Sequence, residues 1–431
     1  MSKKFGIFFV TALIIFSSLY LFLINCLPAS FSIIKGNEST ILSKTPFSIE
    51  IVSNSSSLYI NGKEPDSKDF KLESGKQITV MGKAVGKSLI DFKLFGIPIK
   101  SITVNVLPDI DVYPGGQAIG VLLRSKGVMV VGNSFVEGKN GKKFFPAQES
   151  GISVGDKILK INGVEINDKI KLASLIQDYA ENNQEIVLDI MKKNRQIKSI
   201  KVNPIKNKNG IYMIGIYVDD GVAGVGTLTF YEITDLDYGA LGHKIIETSS
   251  NTGIEVRTGK ILQAQISGIN SGIRGTPGEK VGTFFQTENV IGDILDNNEF
   301  GIYGKLNKQL KNPYFKEPIP VATISEVERG PAKIYTVVNG GKIEEYNINI
   351  DKVYNQSYPR EKGIIISITD PALRKLTGGI IQGMSGSPIV QNNKLVGAVT
   401  HVFVNEPTKG YGVFAEWMLL KTSIYDRARA K

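Results

Sequence analysis

Residues 378–390 read GGIIQGMSGSPIV, four glycines and two serines just ahead of an apolar run. A stretch so poor in side chains is used for its backbone or for a hydroxyl. Beyond it, SPIVQNNKLVGAVTHVFV reads as a strand, an NNK turn and a second strand. Ser387 precedes Pro388, which biases it toward extended backbone, whereas Ser385 lies in G-x-S-G between glycines at the turn. Ser385 is therefore the candidate nucleophile. Gly383 would let its own amide and that of Ser385 face the point where an oxyanion develops, and Gly386 would turn the chain without covering the hydroxyl.

This segment resembles the nucleophile segment of chymotrypsin-like serine proteases, a resemblance that implies two packed β-barrels. Residues 207–431 are long enough for them and rich in strand-like runs, with WMLLKTSIYDRA as a helical stretch near the end. A serine needs a base, and the chain has two histidines. His243, in DYGALGHKIIE, precedes the serine in the chymotrypsin order. His401, in AVTHVFV, reads as a wall residue beside the pocket. The acid is open on spacing alone: Asp293 and Asp296 fall midway between base and nucleophile, while Asp370, in SITDPALRK, is placed equally well to cap a helical turn.

Upstream, residues 112–132 carry a glycine turn and a strand, followed by SVGDKILKINGVEI, a helical run and two further strands. On that helix Ile170, Ala173, Leu175, Ile176 and Tyr179 are read as one face. The arrangement resembles a PDZ domain, and the resemblance implies that Ala118, Ile119, Gly120 and Val121 form a loop whose amides receive a peptide's terminal carboxylate. Before it, residues 41–107 alternate short apolar runs with turn residues, as in a small antiparallel β domain.

Phe5 to Leu27 is uncharged and follows Lys3 and Lys4. It is long enough to cross a bilayer, which takes about 20 residues, and the lysines direct everything after Leu27 to the outside. An uncleaved anchor is expected, with a cleaved signal peptide as the second reading. Cys26 is the single cysteine, and Asn25 before it does not suit a lipoprotein signal, so neither a disulfide within the chain nor a thiolate metal cluster is expected. With 42% apolar and 21% charged residues the chain is globular in composition. Its net charge of +10 is scattered and suits a position near anionic lipid, not nucleic acid.

Taken together, the anchor, the PDZ-like module, GALGH and the run from ITD through GGIIQGMSGSPIV to KLVGAVTHVFVNEPTKGYGVF resemble the stage IV sporulation serine peptidase family of endospore-forming bacteria. The resemblance implies a triad of His243, Asp370 and Ser385, with Gly383 and Ser385 as oxyanion donors and no metal or cofactor. It implies an enzyme in the space between forespore and mother-cell membranes that cuts itself and a membrane-bound regulator of an intramembrane protease, so that a late mother-cell sigma factor matures. The expected fold is mainly β: anchor 1–27, small β-rich domain 28–107, PDZ-like domain 108–206, chymotrypsin-like double barrel 207–431. Two alternatives are a catalytically inert peptide-binding scaffold and a general quality-control protease. The latter is disfavoured because such enzymes place PDZ modules after the protease.

Overall fold

In the C-terminal part of the chain apolar and polar residues alternate with the period of a pleated strand. Along Ile343–Val353, Tyr346, Ile348 and Ile350 turn inward, and along Ile364–Ile368 so do Ile364, Ile366 and Ile368. The computed structural model closes six such strands into a barrel, in the order Gly330–Val337, Ile343–Val353, Ile364–Ile368, Lys409–Phe414, Lys394–Val402 and Pro388–Gln391. Closure leaves no free sheet edge. The structure describes residues 30–430 apart from 43–48, 54–56, 65–69, 73–76, 95–96, 248–251, 254–255, 285–288 and 357, with scattered positions before residue 30.

A second six-stranded barrel precedes it. Ala118–Asn133 pairs with Val256–Gln263, which is followed by Val290–Asn298, Gly301–Leu306, Asp237–Ala240 and Ile216–Tyr231, and the last returns to the first. Its two longest strands leave the barrel together. Residues 118–124 pair with 227–221 inside it, and beyond a bulge residues 129–133 pair with 219–216 in another sheet. That sheet continues through Lys157–Ile161, Ile186–Met191 and Ile197–Val202. The helix Lys169–Glu181 packs on it over a core of its own, including Val128, Ile158, Ile166 and Leu188. An α/β module is thus spliced between two strands of the first barrel.

Three expectations change. Ala118, Ile119, Gly120 and Val121 are not a carboxylate-binding loop: they are buried barrel strand, with partners on both sides, Thr227 to Gly224 and Gln263 to Ile261. Gly120 is small because the Phe284 ring lies 2.6 Å from where its Cβ would be. The boundary expected at 206/207 likewise does not follow the sheets, since residues 118–124 belong to the first barrel and residues 216–219 pair within the module. On the helix, the buried residues are Leu172, Ile176 and Ala180, while Ile170 is 77% exposed and Ala173 faces outward. Of the expected face, Ile176 is buried and Leu175 and Tyr179 pack against the same core, so only Ile170 and Ala173 fall off it.

The N-terminal strands form a five-stranded and a three-stranded sheet around Leu58, Ile60, Ile78, Ile90, Phe92, Ile102 and Val104. Pairing is antiparallel except where Ser30–Ile34 runs parallel to Ile97–Leu107. No helix among the described residues is long and apolar enough to cross a membrane, and the anchor expected over 5–27 falls mostly outside the described residues. Helices Ala415–Leu419 and Ser423–Ala430 occupy the expected helical stretch.

The N-terminal sheets meet the barrels through a buried carboxylate. Ser32 Oγ donates to Glu416 Oε1 (2.8 Å), the Ile324 amide donates to Oε2 (2.8 Å), and Ser325 Oγ donates to the Ser32 carbonyl (2.6 Å). Burial raises the Glu416 carboxyl from 4.5 to about 7, against the lowering pull of its two donors. Folding therefore favours its protonated form. The stability this confers is complete below pH 4.5 and is lost as pH rises through 7. The melting temperature should drift down over that window, and Glu416→Gln, whose amide can serve both partners uncharged, should flatten the drift.

Candidate active site

A cavity of about 760 Å³ opens along the seam between the barrels. His243 reaches it from the first barrel, Ser385 and His401 from the second. His243 follows the strand Asp237–Ala240 by way of two left-handed residues, Leu241 (φ 69°) and Gly242 (φ 74°). Gly242 is confined by the second barrel: its Cβ would lie 2.9 Å from Thr400 Cγ2. Just beyond, Asn297 grips the backbone of Ile245 on both sides, accepting from its amide (2.8 Å) and donating to its carbonyl (2.9 Å).

Ser385 sits on a turn stapled across the seam. Thr227 donates its amide to the Ser385 carbonyl (2.9 Å) and its Oγ1 to the Gly383 carbonyl (2.8 Å), and Thr229 Oγ1 donates to the Gly386 carbonyl (2.8 Å). Gly386, at φ 91°, lies so close to the first barrel that a Cβ would stand 2.0 Å from the Thr227 carbonyl oxygen. Gly383 has φ 90°. Among the described residues the amides of Gly383 and Ser385 donate to nothing, which leaves them free for an oxyanion. Ser387 is fully buried with its Oγ on Thr336 Oγ1 (3.0 Å), so of the two serines Ser385 is the one that faces the cavity.

The imidazole of His243 holds its Nδ1 against the Lys244 carbonyl at 3.0 Å. A carbonyl only accepts, so that contact puts the proton on Nδ1 and leaves Nε2 basic. Burial lowers the His243 pKa from 6.5, opposed by the Lys244 carbonyl and by the charge of Glu361. The His401 ring lies 4.9 Å from that of His243, and its pKa is driven down to about 4 by burial first, then by His243 and Lys362. Both imidazoles are thus neutral at neutral pH. Ser385 Oγ donates to the Thr400 carbonyl (2.7 Å), not to the His243 ring.

Asp370 is not brought to this pair. Its Oδ1 accepts from the amides of Ala372 (3.0 Å) and Leu373 (3.2 Å) at the start of the helix Pro371–Thr377, and Oδ2 accepts from the Asn347 amide (3.4 Å). The reading as a helix cap, suggested by the following proline, is what the structure displays. Asp296 is likewise engaged locally, by the Asn297 amide and the Asn298 side chain. Glu361 is the carboxylate that lines the cavity, and nothing in its loop, PREKG, marks it in the sequence. Among the described residues the one cluster of metal-ligand type, Glu232, Asp235 and Asp237, is gathered around the Arg427 guanidinium (2.6, 3.1 and 2.6 Å) and does not line the cavity.

Residues 210–419 match the family described as SpoIVB peptidase S55. Over that stretch, just under half of its length, the chain is similar to SpoIVB-family enzymes, and it is a serine peptidase. No curated protein is similar enough to match. Solved structures with some likeness include Rv3671c protease from M. tuberculosis in its active form, at 14% identity and a TM-score of 0.25, covering 47% of this chain and 75% of that one. The inactive form of Rv3671c protease gives 12% identity and a TM-score of 0.26, covering 46% and 84%. Scores this low have no bearing on the fold or the activity.

Two outcomes follow for this serine peptidase. Asp370→Ala should cost about 1 kcal/mol of stability by uncapping its helix, while Asp370→Asn, an equally good cap, should melt like the wild type and keep activity. A base works only when neutral, so a His243 pKa below 6.5 places the acid limb of the kcat/KM profile below that value. Glu361→Gln removes an influence that raises the pKa and should move that limb to still lower pH.

Proposed function

We propose that the chain is a membrane-anchored, extracytoplasmic serine endopeptidase of sporulation, in which Ser385 is the nucleophile and His243 the base. What supports these roles above all is that the two side chains come from different barrels onto one cavity, beside two amides with no partner among the described residues. On binding, Ser385 Oγ leaves the Thr400 carbonyl and turns to His243 Nε2, which takes its proton as the oxygen attacks the scissile carbonyl. The amides of Gly383 and Ser385 receive the oxyanion, each such donor being worth about 10²–10³ in kcat. The imidazolium keeps its Nδ1 proton on the Lys244 carbonyl and then protonates the leaving amine. Glu361 favours the imidazolium through the cavity.

The finer reading extends the family resemblance. The substrates are proteins, among them the chain itself and the extracytoplasmic part of a membrane-bound regulator of an intramembrane protease. The module spliced into the first barrel is a PDZ-like peptide-docking unit, and residues 5–27 hold the enzyme at the membrane between forespore and mother cell. An inert scaffold is disfavoured by the free oxyanion amides and the basic Nε2, which a peptide binder has no use for.

The cavity walls are mainly aliphatic, with Val225, Ile245, Ile380, Ile381, Val402 and Val404 among them. A peptide with an aliphatic residue at the cut should therefore be cleaved about tenfold or more faster, in kcat/KM, than one with an acidic residue there. Ser385→Ala should abolish cleavage of the chain by itself and of added peptides, while Ser387→Ala should retain both. Cleavage by the Ser385→Ala protein would sink the assignment.

A further inference from the structure

The hairpin Gln265–Asn270 and Glu279–Thr283 lies between the barrels and takes hold of the residue before the oxyanion glycine. The Lys280 amide donates to the Gln382 carbonyl (3.0 Å), and the Gln382 amide donates to the Gly278 carbonyl (2.8 Å). A peptide unit is planar and trans, so its C=O and N–H point in opposite directions. The carbonyl of Gln382 and the amide of Gly383 share one such unit. Holding that carbonyl on the hairpin therefore turns the Gly383 amide away from the hairpin, toward the cavity that Gln382, Gly383 and Ser385 line. Rotation of the unit by half a turn would withdraw the donor.

The Lys280 side chain packs directly behind Gly383. It is 5% exposed, and three carbons of its stem lie 3.0–3.2 Å from where a Cβ on Gly383 would be. Its Nζ crosses into the second barrel and donates to Thr336 Oγ1 (2.8 Å), which also accepts from Ser387 Oγ. No carboxylate meets the amine among the described residues, and burial lowers its pKa from 10.5 to about 7. A methionine or leucine would bury the same stem at no cost in desolvation, so packing alone does not account for an amine at this place.

We propose that Lys280 is a positioning residue for the peptidase reaction: its backbone amide sets the orientation of the 382–383 peptide unit, and its anchored side chain keeps that unit from turning. The proposal rests on the assignment of Gly383 and Ser385 as oxyanion donors. Its effect belongs to the transition state, where the oxyanion exists, and not to ground-state binding.

The test compares Lys280→Met and Thr336→Val with the wild type in the full chain. The measured quantities are kcat and KM on a peptide substrate, melting temperature, and affinity for a peptide boronate, whose tetrahedral adduct carries the oxyanion, against an uncleavable peptide of the same sequence. Both variants are expected to lose about tenfold or more in kcat and in boronate affinity, with KM and affinity for the uncleavable peptide within about threefold. Thr336→Val leaves the Lys280 stem in place and serves if Lys280→Met fails to fold. Unchanged boronate affinity in the variants, or an equal loss for boronate and uncleavable peptide, would overturn the proposal. A wild type that neither cleaves nor captures the boronate would instead overturn the assignment of Ser385 itself.

Discussion

The serine turn is held from the opposite barrel. Two threonines on the strand Ile216–Tyr231 supply three hydrogen bonds to the carbonyls of Gly383, Ser385 and Gly386, and those bonds form only when the barrels are seated together. Thr227 and Thr229 are fully buried, so each hydroxyl would cost stability without its acceptor. The same seam requires Gly386 to carry no side chain and His243 to follow a left-handed Leu241–Gly242 pair. Strain of about 1–3 kcal/mol at a non-glycine residue such as Leu241 is tolerated only where surrounding packing over-determines it. Ser385, the amides of Gly383 and Ser385, and His243 are thus all positioned by barrel contact.

Electrostatics follow from that burial. Both imidazoles are half-buried in the cavity wall and stay neutral, and the stabilisation of an imidazolium falls to a carbonyl at 3.0 Å and to the charge of Glu361. In the structure described, the serine hydroxyl rests on the Thr400 carbonyl. In the proposed mechanism, activation by substrate consists of a side-chain rotation, the amides of Gly383 and Ser385 being already unengaged among the described residues. Lys280 contributes to that readiness from behind the turn.

Much of the site was legible because its chemistry imposes unusual residues. Glycines on both sides of Ser385, and Pro388 after Ser387, separate a turn serine from a strand serine, and a glycine before His243 marks a chain reversal next to a scarce histidine. Other parts carry no such mark. Gly120 looked like a loop glycine, yet it makes room for Phe284 in the middle of a strand, and a single glycine in an apolar run does not distinguish the two. Asp370 precedes proline, which signals a cap as readily as a catalytic acid, and its carboxylate is engaged by amides. Lys280 and Glu361 come into place only through long-range packing, in segments whose local pattern is that of any polar hairpin or loop. The splice of the α/β module into the first barrel is hidden because Arg124, Ser125 and Lys126 in one long strand, and Asp219 and Asp220 in the other, interrupt the apolar pattern where the strands cross, so that neither reads as a single strand.

The central claim is that Ser385, poised at the seam and served by His243, is the reacting oxygen. Treating the full chain with a fluorophosphonate and locating the adduct by peptide mass spectrometry tests it most directly. The account predicts one modified serine, residue 385, with labelling abolished in His243→Ala. An adduct on Ser387, or labelling of Ser385 that is indifferent to the loss of His243, would contradict it.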